Sequence, residues 1–289
     1  MKMKSITVIS GKGGTGKTSI CAAFATIAQN AVFADCDVDA SDLHIIFDPE
    51  NIYKEFFSAS EVASIDESRC SNCELCVKKC RFQAITEKPE IIDLKCEGCG
   101  VCYHVCPQNA ITMKKRDSGL VKVGKTRFGM LFEGSLFPGE GLSGKLVALI
   151  RKKAYDYAKE NNKDMIIVDG SPGIGCPVIA SISGVDAALI VTEPTLSGVH
   201  DMFRVLEVCS HFKIEPFVLI NKYDLNENIA KRIEMYCNKK NTQLVGKISY
   251  DDIFSKALIQ KRSVIEYDPG SKIAHQIKNI WRCINDSCN

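Results

Sequence analysis

The sequence predicts an α/β chain, a mostly parallel, doubly wound sheet broken once by a small cysteine-rich α+β module. Three observations carry that prediction. Strand-length apolar runs alternate with amphipathic helical stretches along most of the chain. A glycine-rich turn lies between the first such strand and the first helix. Eight of the 15 cysteines fall between Cys70 and Cys106, in two copies of one spacing.

Residues 5–10 form a β-branched strand, 19–28 a helix, and 31–34 a short strand running into an acidic loop. Beyond the cysteine block, helices are expected at Ser143–Glu160 and 199–212, and strands at 165–168, 187–191, 216–220 and 244–248. Strands that are apolar throughout, rather than alternating, are those buried on both faces, as in a parallel sheet covered by two helical layers. Neither α/β stretch is complete alone, so residues 1–63 and 117–289 are expected to build one sheet around an inserted module at 64–116. In the tail, Ile273, Ile277, Ile280, Trp281 and Ile284 share one helical face. Without a lysine-rich opposite face, that stripe reads as a docked core helix rather than a membrane anchor.

Composition narrows the class. With 45% apolar residues, 25% charged residues and a net charge of +2, nothing points to nucleic acid or an anionic membrane as partner. The opening MKMKSITVIS is too short for an export signal, and no run approaches the roughly 18 apolar residues of a membrane span. A cytoplasmic protein is expected. In that reducing compartment clustered cysteines read as metal ligands, not as a disulfide framework. None of the five histidines has a metal-ligand spacing.

Gly11-Lys12-Gly13-Gly14-Thr15-Gly16-Lys17-Thr18, followed by Ser19, fits G-x-x-x-x-G-K-[ST] between a strand and a helix. The glycines let successive backbone N–H groups curl around phosphate, and the helix N-terminus adds partial positive charge. Lys17 would reach the β/γ oxygens and Thr18 would offer its hydroxyl to Mg²⁺. The plain alternative is a glycine-rich turn with no ligand.

Cys70, Cys73, Cys76 and Cys80 follow C-x2-C-x2-C-x3-C, and Cys96, Cys99, Cys102 and Cys106 repeat it 26 residues later. The repeat reaches past the cysteines, since Ala84-Ile85-Thr86 recurs as Ala110-Ile111-Thr112. The pattern resembles two-cluster bacterial ferredoxins, in which each run's fourth cysteine serves the other cluster. That resemblance implies one [4Fe–4S] cluster on Cys70, Cys73, Cys76 and Cys106, and another on Cys96, Cys99, Cys102 and Cys80. Zinc remains the rival occupant of four-cysteine sites. Arg81 stands after Cys80 where the second run has Pro107. Phe82 and Tyr103 are expected to pack as core filling around the clusters.

The second lysine, Lys12, gives K-G-G-x-G-K-[ST]. This resembles the deviant-Walker family that includes MinD, ParA, the Mrp-type cluster carriers and the nitrogenase iron protein. The resemblance implies a nucleotide-dependent sandwich dimer, of two copies or with a paralogue, in which Lys12 crosses to the partner's phosphates. It also implies Asp37, in Asp35-Cys36-Asp37, as the residue orienting the attacking water, and Asp169, after strand 165–168, as the Walker B carboxylate. Asn221 would contact the base of ATP, although Asn221-Lys222-Tyr223-Asp224 also spells the N-K-x-D of GTPases.

Gly173-Ile174-Gly175-Cys176-Pro177, Thr192-Glu193-Pro194-Thr195 and the stretch around Ser143-Gly144-Lys145 extend the likeness nearly end to end. The chain thus resembles the MinD-superfamily ATPases with an inserted ferredoxin domain. The function implied is slow ATP hydrolysis coupled to low-potential electron transfer, or to metal-cluster assembly on a client protein. The alternative is a ParA/MinD-like positional or regulatory switch with redox-sensing clusters. Cys176 sits where the iron protein has a ligand of its bridging cluster, but residues 139–145 offer no second cysteine. Cys176 is therefore expected to be a small buried thiol, and Cys283 and Cys288 are two cysteines without further partners.

Overall fold

The apolar N-terminal run forms β1 (Lys4–Ser10) and turns into α1 (Lys17–Ile27), in a computed structural model that describes residues 3–287. Then come β2 (Ala31–Asp35), α2 (Leu43–Phe47), β3 (Glu50–Phe57), β4 (Ser60–Ile65), α3 (Leu75–Lys79) and α4 (Val101–Val105). They are followed by β5 (Ile111–Arg116), β6 (Gly119–Lys125), β7 (Met130–Leu136), α5 (Ser143–Glu160), β8 (Met165–Pro172) and α6 (Cys176–Ile182). The chain continues through β9 (Ala187–Thr192), α7 (Leu196–His211), β10 (Glu215–Asn221), α8 (Glu227–Lys240) and β11 (Gln243–Ile248). It closes with α9 (Ile253–Ile259), α10 (Val264–Tyr267) and α11 (Lys272–Ser287). Two units result. The larger comprises the chain up to Glu55, Val121–Ser135 and everything from Ser143 on; the smaller comprises Phe56–Leu120 and Leu136–Leu142.

The larger unit is built on a nine-stranded sheet ordered β11-β10-β9-β1-β8-β2-β7-β6-β3. The six pairings from β11 to β7 are all parallel. Alternate side chains feed two cores, as burial on both faces requires. Ala187, Leu189 and Val191 of β9 join one core with α1 and α11, while Ala188 and Ile190 join the other with α7 and α8. Helix α1 is buried nearly all round because its alanines let it lie close to the sheet, and Phe24 meets the Trp281 ring at 5.0 Å. The stripe Ile273, Ile277, Ile280, Trp281 and Ile284 is the buried face of α11, a docked core helix. No helix among the described residues is long and apolar enough to cross a membrane. The periodicity did not reveal β6 and β7, which a tight turn closed by Thr126 and Gly129 connects. β7 then lies beside β2, which brings Glu133 into register with Asp35.

The smaller unit repeats itself. Antiparallel β4 and β5 pair Ile65 with Ile111, and 26 residues onward and back Ile91 bridges Ile85. The Asp66 N–H donates to the Ala110 carbonyl at 2.7 Å; the Ile92 N–H donates to the Ala84 carbonyl at 2.8 Å, the same bond with the halves exchanged. α3 and α4 also stand 26 residues apart. Left-handed backbone recurs at Asn72 and Gly98, Glu74 and Gly100, and Gln83 and Asn109. At Gly98 a side chain is excluded outright, since a Cβ would stand 2.3 Å from the Glu61 carbonyl oxygen. Partner exchange of this kind makes the halves related by an approximate two-fold axis. Leu136–Leu142 is held by the Arg116–Glu140 ion pair at 3.0 Å and by the Phe137 N–H on the Ser118 carbonyl.

Candidate functional site

The glycine-rich loop ends β1 and opens α1. Gly16 at the helix start has φ 95°, and a Cβ there would stand 2.5 Å from the Asn221 amide nitrogen, so only glycine closes the turn. No side chain caps α1, leaving its first N–H groups to a ligand. A cleft over them is lined by Gly13, Lys17, Thr18, Ser19, Asp37 and Ser171, among others.

Three carboxylates lie side by side in register across adjacent parallel strands: Asp169 within β8, Asp35 at the end of β2 and Glu133 within β7. Asp169 is buried and neither of its oxygens has a hydrogen-bond partner, although Thr18 and Cys21 flank it. Burial pushes its carboxyl up to about 6, against the opposing charge of Lys17. A buried, unpartnered carboxylate beside a threonine hydroxyl is a donor set that fits Mg²⁺. Asp35 is also raised, by burial first and then by Asp169. It accepts hydrogen bonds from the Asp37 N–H (3.1 Å), the Ser41 hydroxyl (2.8 Å) and the Leu43 N–H (3.0 Å). Asp35 therefore fixes the loop that carries Asp37. Its place at the end of a strand was visible in the sequence, but not its three bonds. Glu133, which with Gly134 carries part of the family likeness, was not foreseen in the site; it lies 3.7 Å from His44 and 3.5 Å from Lys122.

Both loop lysines rest on carboxylates. Lys17 Nζ, almost fully buried, stands 3.5 Å from Asp37, whose carboxyl is raised by burial and pulled back by that lysine. Lys12 points across its own chain to Glu193 (3.3 Å) and the Thr195 hydroxyl (3.3 Å). Glu193 also binds Lys222 at 2.6 Å, and Lys222 donates to the Gly14 carbonyl at 3.2 Å. Glu193 and Lys222 thus brace the loop, roles no local motif announced.

Asn221 is buried and donates its amide to the Thr15 carbonyl at 2.8 Å, so it shapes the loop directly. Asp224 accepts the Tyr250 N–H at 2.6 Å, which ties the N-K-x-D tetrapeptide to the segment after β11. Between them opens a pocket lined by Gly16, Ser19, Asn221, Tyr250, Asp251 and Phe254. In the second glycine segment the Ser171 hydroxyl donates to the Cys36 carbonyl at 2.5 Å, and the Gly173 N–H to the Ser10 carbonyl at 2.8 Å.

Cys176 is exposed, not buried as expected, because it opens α6 at the surface. Cys283 is exposed and Cys288 lies outside the described residues. Tyr103 is half exposed, edge-on to His104 at 5.1 Å, and so is not core filling.

In the smaller unit, Cys80 lines one small pocket with Cys96, Cys99 and Cys102. Cys76 is raised chiefly by burial, with the charges of Cys70 and Cys106 adding to the shift. Cys102 is likewise raised by burial, with Cys96 and Cys99 adding. The Ala84 and Ala110 N–H groups donate to the Cys80 and Cys106 sulfurs, each at 3.3 Å. Cys73 and Cys99 are exposed. Among the described residues no three His, Cys, Asp or Glu side chains form a group that could hold a single metal ion.

A parallel sheet with a glycine loop, a buried lysine and a strand-end aspartate at its carboxyl edge defines a P-loop nucleotidase. The chain belongs to the CobQ/CobB/MinD/ParA nucleotide binding domain family, whose model matches residues 6–264. It is similar to the uncharacterized protein MJ0578 of Methanocaldococcus jannaschii, 34% identical, over 97% of this chain and 96% of that one. The septum site-determining protein MinD of Bacillus subtilis is 23% identical, over 97% and 88%. Its fold is shared by MinD of Pyrococcus horikoshii, solved with Mg-ADP, at 14% identity, 100% and 98% coverage and a TM-score of 0.62. Fold and family make this a MinD/ParA-type P-loop ATPase, with a site that fits ATP and Mg²⁺.

Proposed function

We propose that Mg-ATP switches this chain from a monomer, with its loop lysines resting on carboxylates, to a closed ParA/MinD-like dimer that hydrolysis reopens. The observation that carries this reading is the pairing of Lys17 with Asp37 and Lys12 with Glu193. Arriving phosphate competes for both lysines. Lys17 moving to phosphate leaves Asp37 free to orient a water, and Lys12 leaving Glu193 can reach the phosphates of the other subunit. Asp169 and Thr18 would hold Mg²⁺, which when bound neutralises charge developing on the phosphates. The pocket beside Asn221 would take adenine, and Asp224, engaged by the Tyr250 amide, has one oxygen fewer for guanine. The partner is a second copy or a paralogue. On a sizing column Asp37→Ala should accumulate a dimer with Mg-ATP and run as a monomer without it. A monomer at saturating Mg-ATP would contradict the switch.

A second reading rests on the cysteines. Cys70, Cys73, Cys76 and Cys106 would hold one [4Fe–4S] cluster, and Cys96, Cys99, Cys102 and Cys80 the other. Its support is the 26-residue repeat of the two cysteine runs and a pocket whose lining brings Cys80 together with Cys96, Cys99 and Cys102 of the other run. Such clusters supply low-potential one-electron chemistry. The switch would then govern electron delivery to a client protein, or metal-cluster assembly on it. Purified without oxygen, the chain should carry about eight iron and eight labile sulfide, with no stoichiometric zinc. Cys80→Ser should perturb the cluster of the other triplet. A colourless, zinc-loaded anaerobic preparation would end this reading and leave the switch intact.

A further inference from the structure

The two halves of the smaller unit match in backbone but not in charge. On the α3 side the segment Leu75, Cys76, Val77, Lys78, Lys79, Cys80, Arg81 carries three cations. Its counterpart, Val101, Cys102, Tyr103, His104, Val105, Cys106, Pro107, carries no formal charge. Lys78, Lys79 and Arg81 are all exposed. Lys78 is 69% exposed and its pairing with Glu74, itself 54% exposed, is a surface ion pair worth little. The Arg81 guanidinium sits 4.7 Å above the Phe82 ring, and Phe82 lines the same pocket as Cys80, Cys96, Cys99 and Cys102. The α3 segment thus carries three exposed cations on the stretch that ends at Cys80, and Arg81 reaches the pocket of Cys80, Cys96, Cys99 and Cys102 through Phe82.

We infer that Lys78, Lys79 and Arg81 form the docking face for an acidic one-electron carrier protein, which exchanges electrons with the group held by Cys80, Cys96, Cys99 and Cys102. The inference rests on the cluster reading of the cysteine unit. One electron leaves the reduced carrier, which is oxidised, and enters that cluster, which is reduced by one. No bond is made or broken. Redox encounters of this kind use small, transient interfaces, so a few charges can dominate both orientation and encounter rate. The matching segment 101–107 carries no lysine or arginine, and a cation that reaches its end, Arg69, is engaged by the Gln108 carbonyl at 3.3 Å.

The test uses the full chain purified without oxygen, a photoreduced acidic plant-type ferredoxin as carrier, and the K78E/K79E/R81E variant. Two quantities are read: binding of the oxidised ferredoxin by calorimetry, and the second-order rate of electron transfer by stopped flow. Both should fall steeply with added salt, and in the variant the rate at low salt should fall by about 100-fold. Iron content and photoreduction by a neutral flavin analogue should be unchanged, and H104E/Q108E on the opposite face should have little effect. Unchanged binding and rate in the triple variant, with iron intact, would overturn the docking face while leaving the clusters standing. Charge-dependent ferredoxin binding by a chain that carries no iron would keep the face and remove the cluster reading.

Discussion

Lys12→Ala should lose hydrolysis by about 10³-fold while still binding Mg-ATP. The side chain does not enter its own phosphate cradle. It runs to Glu193 and Thr195 at the turn before α7, and is 32% exposed where that of Lys17 is 6% exposed. Within the monomer it makes a partly exposed ion pair, worth no more than about 1 kcal/mol. Its removal should therefore leave melting temperature and nucleotide affinity nearly unchanged. A cation delivered across a dimer interface to a transferring phosphoryl group acts in the transition state, so kcat carries the loss. Phosphate release, titration with a fluorescent ATP analogue and a thermal melt separate the three effects. Normal turnover would place the function of Lys12 in the brace with Glu193 alone.

Asp169→Asn should act in opposite directions on stability and activity. The buried carboxyl is held up to about 6, chiefly by burial. A carboxyl more basic when folded than unfolded keeps its proton in the folded chain alone, between roughly pH 4 and 6. Its stabilising contribution is present below that window and is lost as pH rises through about 6. Asparagine carries no charge to bury, so the nucleotide-free variant should melt a few degrees higher than the parent at pH 8 and close to it at pH 5. The same change withdraws a donor from Mg²⁺, and Mg²⁺-dependent hydrolysis should fall by on the order of 100-fold or more. A variant that melts lower at pH 8 would contradict the account of the orphaned carboxylate.

What could be read in the sequence follows from how local the chemistry is. Phosphate binding demands glycine, lysine and a hydroxyl at fixed steps, so Gly11 to Thr18 was legible. Asp37, just past β2, and Asp169 were legible once the loop was known, although β8 runs on to Pro172 instead of stopping before Asp169. The two cysteine runs declared their period, which the backbone repeats at a 26-residue step. What stayed hidden depends on distant packing. Glu193 lies 181 positions beyond Lys12. Glu133 meets Asp35 because β7, far along the chain, inserts beside β2. Asn221 binds the loop backbone, a bond that strand order creates and no tetrapeptide shows. Cys176 was misjudged because burial was inferred from residue type, whereas the position at the start of α6 decides it.

The central claim is that each site is completed by a lysine from the other subunit, and mixing two inactive variants tests it most directly. Lys12→Ala keeps Asp37 but cannot supply the crossing lysine; Asp37→Ala supplies the lysine but cannot orient water. Each alone should be silent in a phosphate-release assay with Mg-ATP. In a mixed dimer one site has its own Asp37 and the partner's intact lysine, so hydrolysis should reappear on mixing and peak near equal amounts. A mixture as silent as its two components, while sizing shows that mixed dimers form, would contradict the account.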